Sequence, residues 1–488
     1  MRESFPKSLV TLFILFAGAS CFAQSALVSN AIKLNSKTPN FKVLGRAGNN
    51  YVVNRYGATT HVLDIYNSSL KLLQSKEIKL PKDQFIERYW LQPKDAWIIS
   101  LRHGKDKSYL EAHKLDTKFN IAQRALVLDS IVERKDLIES NLRTALSLNE
   151  SKLLIFSPIF SQGKIDYFYT KVYDNQMNVL SQLKIRDTNL TDKSFEDVML
   201  LNDGSFLFVT KDKDAGDDNE IYYLSYVRSD GSISHSSFIP IMQVFKKLAF
   251  EIDNTNQKLI ITGFFKEPAL SRNQKTGASS FFVSKFDLPS FENVFTEIVP
   301  ITNEFYLNLT GKPSDLTTPQ VYTFYVNSVL PRLDGGMIIL TESYFKTEDV
   351  SVNPSFFPSS SLSNMNYTTN YNFNDIVVYH IDSTGQCTAQ EIIRKKQVSS
   401  DDAGSYSSFA IANLQDEIRI VFLDEIDVNA HFSQAKLKGE SLTKAKTIFN
   451  LGSKNVFPVV KMSKQVSPSE ILVPSYFRNK LQLIKLRF

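Results

Sequence analysis

The chain alternates short apolar runs with turn residues, and the clearest copy of this pattern spans residues 194–233. Two Asp-Gly pairs, Asp203-Gly204 and Asp230-Gly231, separate its runs, and short turns of this composition between alternating segments favour tight antiparallel hairpins. The segment therefore predicts a β-meander. Its parts, in order, are an apolar run at Val198 to Leu201, a strand at Phe206 to Thr210, a polar loop, and an aromatic alternating strand at Ile221 to Val227.

This unit repeats along the chain, and two independent markers count the copies. The third strand of each unit ends at a turn position, and these positions are Asn67, Asp116, Asp174, Arg228, Asp287, Asp382, Lys438 and Arg487. By subtraction they are 49 to 59 residues apart, except for one interval of 95. The predicted second strands are Tyr51 to Tyr56, Ala96 to Leu101, Leu153 to Ser157, Phe206 to Thr210, Leu259 to Phe264, Met337 to Thr341, Ile418 to Leu423 and Ile471 to Tyr476. Both markers predict eight units.

Four antiparallel strands per unit, without an amphipathic helical stretch, predict an all-β fold. The arrangement that best fits is an eight-bladed β-propeller of four-stranded antiparallel blades, with seven blades as the alternative. A linear β-solenoid fits less well, because its coils are usually shorter and lack regular hairpin turns. The last unit lacks a fourth strand of its own after Arg487. We expect the segment Ser25 to Leu34 to pair beside Lys480 to Leu486 and close the ring, since closure removes exposed sheet edges.

The N-terminus has the pattern of an export signal, with basic residues ahead of the apolar run Leu9 to Ala19, which is too short to span a bilayer. We expect residues 1–23 to be a signal peptide cleaved before Gln24, and residues 24–488 to be one propeller domain. A lipid anchor at Cys21 is the alternative. The Ala-Gln junction and the Phe, Tyr, Asn, Ser and Lys-rich sequence after it resemble exported propeller repeat proteins of Bacteroidota. That resemblance implies a periplasmic or outer-membrane location.

Composition excludes several classes of partner and of stabilisation. The chain has 56 basic and 51 acidic residues, a formal net charge of +5, and no basic run interleaved with aromatic residues. We therefore expect no nucleic-acid partner, and the absence of another long apolar stretch predicts no transmembrane segment in the mature chain. Without Cys21, Cys387 is the only cysteine, so an internal disulfide is not possible. We interpret Cys387 as a partly buried residue after a turn, not as a nucleophile.

The search for catalytic and metal motifs gives few candidates. No Gly-x-Ser-x-Gly motif occurs, and the two tryptophans do not form the repeated signatures of WD40 repeats or of quinoprotein propellers. The six histidines are scattered among the units, so we expect neither a metal site nor a cofactor. The acidic loop from Asp212 to Glu220 does not follow the spacing of a helix-loop-helix calcium site. Asp424, Glu425 and Asp427 could approach the axis as catalytic acids, but charged loop residues are the simpler interpretation.

The insertions are more informative about binding. Unit six carries a predicted loop at residues 346–374, rich in Ser and Asn, and units five and six carry two more at Lys266 to Ala278 and Asn303 to Pro319. In a propeller all three emerge on one face. Loops on rigid scaffolds commonly carry binding function, and aromatic side chains provide large contact areas. The candidate partner-binding residues are Phe356, Phe357, Tyr367, Tyr371 and Phe373.

Two function classes fit this sequence. The first is a non-catalytic binding or scaffold propeller that holds a protein or glycan partner on its loop face. The second is an exported carbohydrate-active enzyme, a glycoside hydrolase or lyase with acidic residues near the axis, whose catalytic residues are unknown. The lack of a recognisable acid or nucleophile motif favours the binding propeller. A solvated insertion without function is the simpler interpretation of the loop at 346–374.

Overall fold

The computed structural model describes residues 25–488 apart from 82, 93–94, 106, 123, 132–141, 162–163, 187–192, 213–219, 267–277, 311–322 and 353–364. The described residues form eight separate antiparallel sheets, which we number as blades 1 to 8 in chain order. Two short strands precede blade 1: β1 (Ser25–Val28) and β2 (Ile32–Lys33). The predicted number of blades is therefore confirmed.

Blades 1 to 4 each consist of four consecutive strands paired in chain order. Blade 1 contains β3 (Asn40–Ala47), β4 (Asn50–Tyr56), β5 (His61–Tyr66) and β6 (Leu72–Ile78). Blade 2 contains β7 (Gln84–Leu91), β8 (Ala96–His103), β9 (Ser108–Leu115) and β10 (Leu126–Ile131). Blade 3 contains β11 (Arg143–Leu146), β12 (Lys152–Ser161), β13 (Lys164–Asp174) and β14 (Val179–Ile185). Blade 4 contains β15 (Lys193–Leu200), β16 (Phe206–Asp212), β17 (Tyr222–Val227) and β18 (Ile233–Phe238).

Blades 5 to 8 follow the same plan, with additions in the last three. Blade 5 contains β19 (Val244–Asp253), β20 (Lys258–Lys266), β21 (Ala278–Asp287) and β22 (Asn293–Pro300). Blade 6 contains β23 (Phe324–Pro331), β24 (Met337–Val352), β25 (Met365–Ile381) and β26 (Cys387–Ile393), and β27 (Gln397–Ser400) also pairs with β25. Blade 7 contains β28 (Phe409–Asn413), β29 (Ile418–Leu423), β30 (His431–Lys438), β31 (Ser441–Leu442) and β32 (Lys446–Asn450). Blade 8 contains β33 (Lys464–Ser467), β34 (Glu470–Phe477) and β35 (Lys480–Arg487).

The first strand of each blade is the inner strand of the propeller. The inner strands of neighbouring blades contact one another: β3 contacts both β33 and β7, and β15 contacts both β11 and β19. Fourth strands such as β6 are mostly exposed, as expected at the outer rim. Because strands alternate in direction, turns from first to second strands emerge at one end of the ring, which we call the turn face. Connections from second to third strands and between blades emerge at the opposite end, the loop face.

The N-terminal segment closes the ring as predicted. Strand β1 pairs antiparallel with β35, from Ser25 opposite Arg487 to Val28 opposite Ile484, and β2 pairs with the start of the same strand. Between them, the backbone N–H and side-chain hydroxyl of Ser29 bond the carbonyl and N–H of Leu483 at 2.9 and 2.8 Å. Blade 8 is therefore built from both ends of the chain.

The core lies between the blades, because second and third strands bury both faces. Residues 96–101 of β8 are all buried. Because successive side chains of a strand point to opposite faces, both faces of β8 are covered by neighbouring blades. One cluster joins blade 3 to blade 4 through aromatic rings, with Phe208 centred 5.4 Å from Phe156 and 4.9 Å from Phe168. Ring pairs at these distances contribute about 0.5–1.5 kcal/mol beyond their burial. The near-continuous apolar runs of the sequence thus correspond to strands packed on both sides.

The Asp-Gly turns adopt the geometry that the sequence suggests. Leu201 accepts a hydrogen bond from the N–H of Gly204, and Gly204 has φ of +99°, which L residues with a side chain rarely adopt. Asp203 accepts the N–H of Ser205 at 2.9 Å. This combination turns the chain from β15 into β16 within a few residues.

Two features differ from the sequence prediction. The segment 346–374, predicted as a loop, continues β24 and β25 as paired strands up to Val352 and from Met365, and residues 353–364 lie outside the described part. Short helices also occur where none was predicted: α1 (Asn303–Thr310) lies between blades 5 and 6, and α2 (Leu451–Lys454) and a 3₁₀ turn (Val460–Met462) lie between blades 7 and 8. Strand pairing satisfies the backbone of a polar segment as well as water does, so composition alone does not separate a ribbon from a loop.

Candidate functional site

An extended ribbon rises from the loop face of blade 6. We call it the blade-6 ribbon and define it as residues 344–352 of β24, residues 365–373 of β25, and β27. β24 and β25 stay in register from the pair Tyr344 and Phe373 to the pair Val352 and Met365. β27 adds a third strand, with Gln397 opposite Phe373 and Ser400 opposite Asn370. The third strand anchors the ribbon to the connection that leads into blade 7.

The pairing brings two of the predicted aromatic residues, Tyr371 and Phe373, to one side of this ribbon. A bulge between Glu342 and Tyr344 resets the register, after which Phe373 and Tyr371 are paired two positions apart and the backbone of Tyr367 pairs opposite Val350. Side chains at alternate positions of a strand share a face. We call this side the aromatic face: it carries Tyr344 with Phe373, Lys346 with Tyr371, and Glu348 with Thr369. Phe356 and Phe357 lie outside the described residues.

The aromatic face combines stacked rings with lysines. The ring centroids of Tyr344 and Phe373 are 4.6 Å apart, and Tyr325 meets Tyr344 edge-on at 6.1 Å. The ammonium group of Lys346 lies 5.2 Å from the centre of the Tyr371 ring, and that of Lys246 lies 5.1 Å from the centre of Tyr344. Burial, reinforced by the nearby charge of Lys346, lowers the pKa of Lys246. Tyr344, Tyr371 and Phe373 are all half-buried, so part of each ring remains available for contact.

A glycine permits the innermost ring to pack. Gly404 has φ of +65°, and a Cβ atom added there would lie 2.4 Å from Cε2 of Phe373. Its N–H bonds Oδ1 of Asp402 at 2.8 Å, and its carbonyl accepts Lys461 Nζ at 2.6 Å. Because Gly404 has no side chain, the connection between β27 and β28 can pack closely against the aromatic face. Any larger residue at this position would displace the ring of Phe373.

Beneath the ribbon lies a fully buried ion pair. Lys395 Nζ is 2.5 Å from Oε1 of Glu342, and it also donates to the carbonyl of Phe373 at 3.0 Å. Oε2 of Glu342 accepts the hydroxyls of Ser408, at 2.7 Å, and of Tyr325. Burial lowers the pKa of Lys395, although Glu342 opposes that shift, and burial raises the pKa of Tyr325. This network links the base of the ribbon to blade 7 and leaves no room for a substrate at the carboxylate.

The other sequence candidates are not brought to this site. Glu425 and Asp427 are exposed, and Asp424 is occupied by its own loop: its carboxylate accepts the N–H of His431 at 2.7 Å and lies 3.0 Å from that imidazole. These contacts match the simpler interpretation of charged loop residues. Most of the insertion at Lys266 to Ala278 and of the acidic loop at Asp212 to Glu220 lies outside the described residues.

Cysteine and histidine side chains take structural positions. Cys387 is half-buried, as predicted, and burial raises the pKa of its thiol. His380 is fully buried and lies 2.9 Å from Glu391. Within the described ranges, no three His, Cys, Asp or Glu side chains group as metal ligands. In the same part of the chain, no helix is long and apolar enough to cross a membrane.

Two carboxylates on neighbouring inner strands were missed by sequence reasoning. Burial raises the pKa of Asp197 in β15, and burial together with the charge of Asp197 raises the pKa of Glu251 in β19. Lys247 lowers the pKa of Asp197 but does not cancel the effect of burial. Carboxyl groups with raised pKa values near a propeller axis are the chemistry that general acid catalysis needs. No motif in the sequence marks them, because each belongs to an ordinary strand pattern.

A cavity of about 1070 Å³ opens on the opposite, turn face. Its walls come from the first turns of blades 7, 8, 1, 2 and 3, and Arg46, Glu150 and Lys464 are its charged residues. No local pattern in the sequence marks this cavity, because these three residues are far apart in the chain. Only the closed ring places blade 8 beside blade 1.

Comparison with solved structures finds only distant matches. A prolyl endopeptidase matches at 10% identity with a TM-score of 0.41, over 94% of this chain and 55% of that chain. A polysaccharide lyase matches at 9% identity and TM-score 0.39, over 94% and 99% of the two chains. An oligogalacturonate lyase solved with manganese matches at 9% and 0.37, over 91% and 98%. The chain thus spans little more than half of the prolyl endopeptidase. No protein-family model and no curated protein sequence matches it.

Proposed function

We propose that this protein is a non-catalytic binding propeller that holds a glycan or protein partner on the blade-6 ribbon. The observation that carries the proposal is the aromatic face, where half-buried rings and lysines share one side of a protruding ribbon. Aromatic rings provide large, rigid contact area at low entropic cost. The buried pair of Glu342 and Lys395 anchors the ribbon to the rigid propeller below it, and so keeps the aromatic face in place.

The chemistry of the aromatic face favours a glycan over a protein. Ring faces pack against the C–H groups of sugar rings, and the flanking ammonium groups of Lys246 and Lys346 can bond hydroxyl or carboxylate oxygens. A protein hot spot would typically fill an apolar pocket at the centre of a large interface. The ribbon instead presents a narrow row of rings edged by charge.

Substitutions on the two sides of the ribbon test this proposal. Tyr344→Ala and Tyr371→Ala remove rings from the aromatic face, whereas Thr347→Ala changes an exposed residue on the other side. We expect each tyrosine variant to weaken capture of envelope glycans on an array by about tenfold, the scale of losing one aromatic anchor, and Thr347→Ala to have no effect. Unchanged binding by both tyrosine variants would refute the site. Proteins captured from native envelope, with no bound glycan, would identify the partner as a protein.

We further propose that the protein is exported to the periplasm or the outer-membrane surface. The pattern of residues 1–23 supports this, as does the resemblance to exported proteins of Bacteroidota. Mass spectrometry of the mature protein should find Gln24 at its N-terminus. A diacylated Cys21 would replace cleavage before Gln24 with a lipid anchor, and an intact chain in the cytoplasm would refute export.

A carbohydrate-active enzyme is the second candidate, favoured by the raised pKa values of Asp197 and Glu251. Glycoside cleavage uses paired carboxyl groups, one of which acts as a general acid. Purified protein would be incubated with a panel of acidic and neutral polysaccharides, and reducing ends and unsaturated products measured. Activity that Asp197→Asn and Glu251→Gln abolish and Asp424→Asn retains would establish this candidate. No turnover of any substrate would remove it.

A further inference from the structure

The cavity on the turn face is a site separate from the ribbon, and it does not depend on the function proposed above. We call it the axial mouth; it is lined by first turns of five blades, at residues 413–415, 464–468, 44–48, 91–92 and 148–150. Its volume of about 1070 Å³ is slightly above the usual range for ligand pockets, roughly 300–1,000 Å³. The turns of blades 4 to 6 do not line it, so the mouth is set to one side of the axis.

Opposite charges face each other across this mouth. Lys464 reaches from blade 8 over Gly45 of blade 1, donates to the carbonyl of Leu44 at 2.9 Å, and places Nζ 3.6 Å from Oε1 of Glu150 in blade 3. Gly45 has φ of +130°, and a Cβ atom there would lie 3.4 Å from Cε of Lys464. The side chains of Lys464 and Glu150 are 40% and 44% exposed. An exposed ion pair of this kind contributes little, so ligand groups can replace it at small cost.

The remaining wall combines apolar and amide groups. Leu44 and Leu91 are buried at the base, and Leu414 and Val466 are half-buried beside them. Amide side chains surround this apolar base; they belong to Gln92, Asn149, Asn413, Gln415 and Gln465. None of the lining residues is aromatic.

We propose that the axial mouth binds a short extended peptide segment that carries an acidic and a basic residue around an aliphatic one. Gln465 and Gln92 bond backbone groups of the mouth itself. The side-chain amides of Asn413 and Gln415 can both donate and accept, which matches the alternating N–H and C=O groups of a peptide backbone. Lys464 pairs with the acidic residue, Glu150 pairs with the basic residue, and the leucines receive the aliphatic side chain. A glycan fits less well, because the lining offers its sugar rings no aromatic surface for stacking.

Intrinsic tryptophan fluorescence can report binding at the axial mouth. Trp90 donates its indole N–H to the carbonyl of Glu150 at 3.0 Å, and Gln92 donates to the same carbonyl. The two tryptophans of the sequence, Trp90 and Trp97, are paired across β7 and β8 beside the mouth. A ligand that moves Glu150 therefore changes the intrinsic tryptophan fluorescence.

The test titrates the full-length mature protein with the peptide acetyl-Gly-Asp-Leu-Lys-Gly-amide and follows that fluorescence. The matched control peptide has Asn and Gln in place of Asp and Lys. We expect saturable binding below about 1 mM, with the charged peptide binding about tenfold more tightly than its neutral counterpart, since charge-assisted hydrogen bonds are the stronger ones. No saturable change with either peptide overturns the proposal.

Variants at the mouth separate this site from a non-specific effect. Lys464→Met keeps the stem that packs over Gly45 and removes the charge, so the advantage of the charged peptide should fall to about twofold or less. Lys464→Arg should restore it, and Lys480→Met, at an exposed residue on the loop face, should leave it unchanged. Equal binding by Lys464→Met overturns the proposal. The proposal is also overturned if cellotetraose or tetragalacturonate changes the tryptophan fluorescence as strongly as the peptide does and Lys464→Met abolishes that change.

Discussion

Lys395 Nζ lies 2.5 Å from Oε1 of Glu342, and both side chains are fully buried where blade 6 meets the connection into blade 7. The pair is held by the carbonyl of Phe373 on one side and by the hydroxyl of Ser408 on the other. A buried ion pair of this kind rarely adds net stability over an apolar pair, but breaking it leaves an uncompensated charge. It therefore fixes the position of the ribbon more than it stabilises the fold.

The first prediction concerns this pair. Lys395→Met should lower the free energy of unfolding by about 3–5 kcal/mol, because Glu342 is then buried without a cation. The double variant Glu342→Gln with Lys395→Met should recover most of that loss, because no charge remains. Urea denaturation of the three proteins measures both effects. A double variant as unstable as the single one would mean that the pair itself stabilises the protein.

The second prediction is a pH dependence at Glu251. Its folded-state pKa is raised by burial and by Asp197, so the folded protein binds this proton more tightly than the unfolded chain does. The contribution of Glu251 to the free energy of unfolding is therefore fully present below the pKa of the unfolded chain, about 4.3. It is lost as the pH rises through the higher pKa of the folded protein. Glu251→Gln should therefore raise the melting temperature at pH 7, with a gain that disappears near pH 4. The exposed Glu425→Gln is the control, and a pH-independent gain would contradict the assignment.

The third prediction compares two glycines with similar backbones. Gly404 and Gly439 have φ of +65° and +59°, but only at Gly404 does an added Cβ meet a ring, that of Phe373. Both alanine variants carry backbone strain of about 1 kcal/mol or more. Gly404→Ala should be the less stable of the two and should weaken partner binding at the ribbon, which Gly439→Ala should leave intact. Equal thermal melts and equal binding would show that Phe373 adjusts freely.

The fourth prediction concerns the pairing of β1 with β35, which closes the ring and which we call the seam. Ser29 is buried, and its hydroxyl accepts the N–H of Leu483 at 2.8 Å. Ser29→Ala leaves that donor without a side-chain partner and should cost about 1–3 kcal/mol. Amides of β35 should exchange hydrogen faster, while the exposed Asn30→Ala should behave as the parent protein does. Unchanged exchange in β35 would mean that β1 contributes little to closure.

The architecture was predictable because its signals are local and repeated. Strands such as Ile418–Leu423 were predicted to the residue, since a buried second strand reads as an apolar run between turn residues. Ring closure followed from a spare strand at one end and a missing one at the other. Each of these inferences needed only the period of the pattern.

The sites were harder to predict, because their contacts lie between distant segments. The blade-6 ribbon has a loop-like composition, and its third strand, β27, follows the whole of β26. Tyr371 and Phe373 were named from the sequence, but their pairing with Lys346 and Tyr344 depends on the bulge after Glu342, which no local rule predicts. Lys464 of blade 8 and Glu150 of blade 3 meet across the turns of blades 1 and 2, so their pairing exists only in the closed fold.

The seam in blade 8 also sets when the protein can finish folding. Ser29 and Leu483 are 454 residues apart, so their hydrogen bond can form only when nearly the whole chain has been synthesised. At about 5–20 residues per second, the ribosome needs roughly 20–90 s for that span. Until then, strand β1 lacks its partner strand β35, and blade 8 is incomplete. The ring can therefore close only after its last strand, β35, has been synthesised.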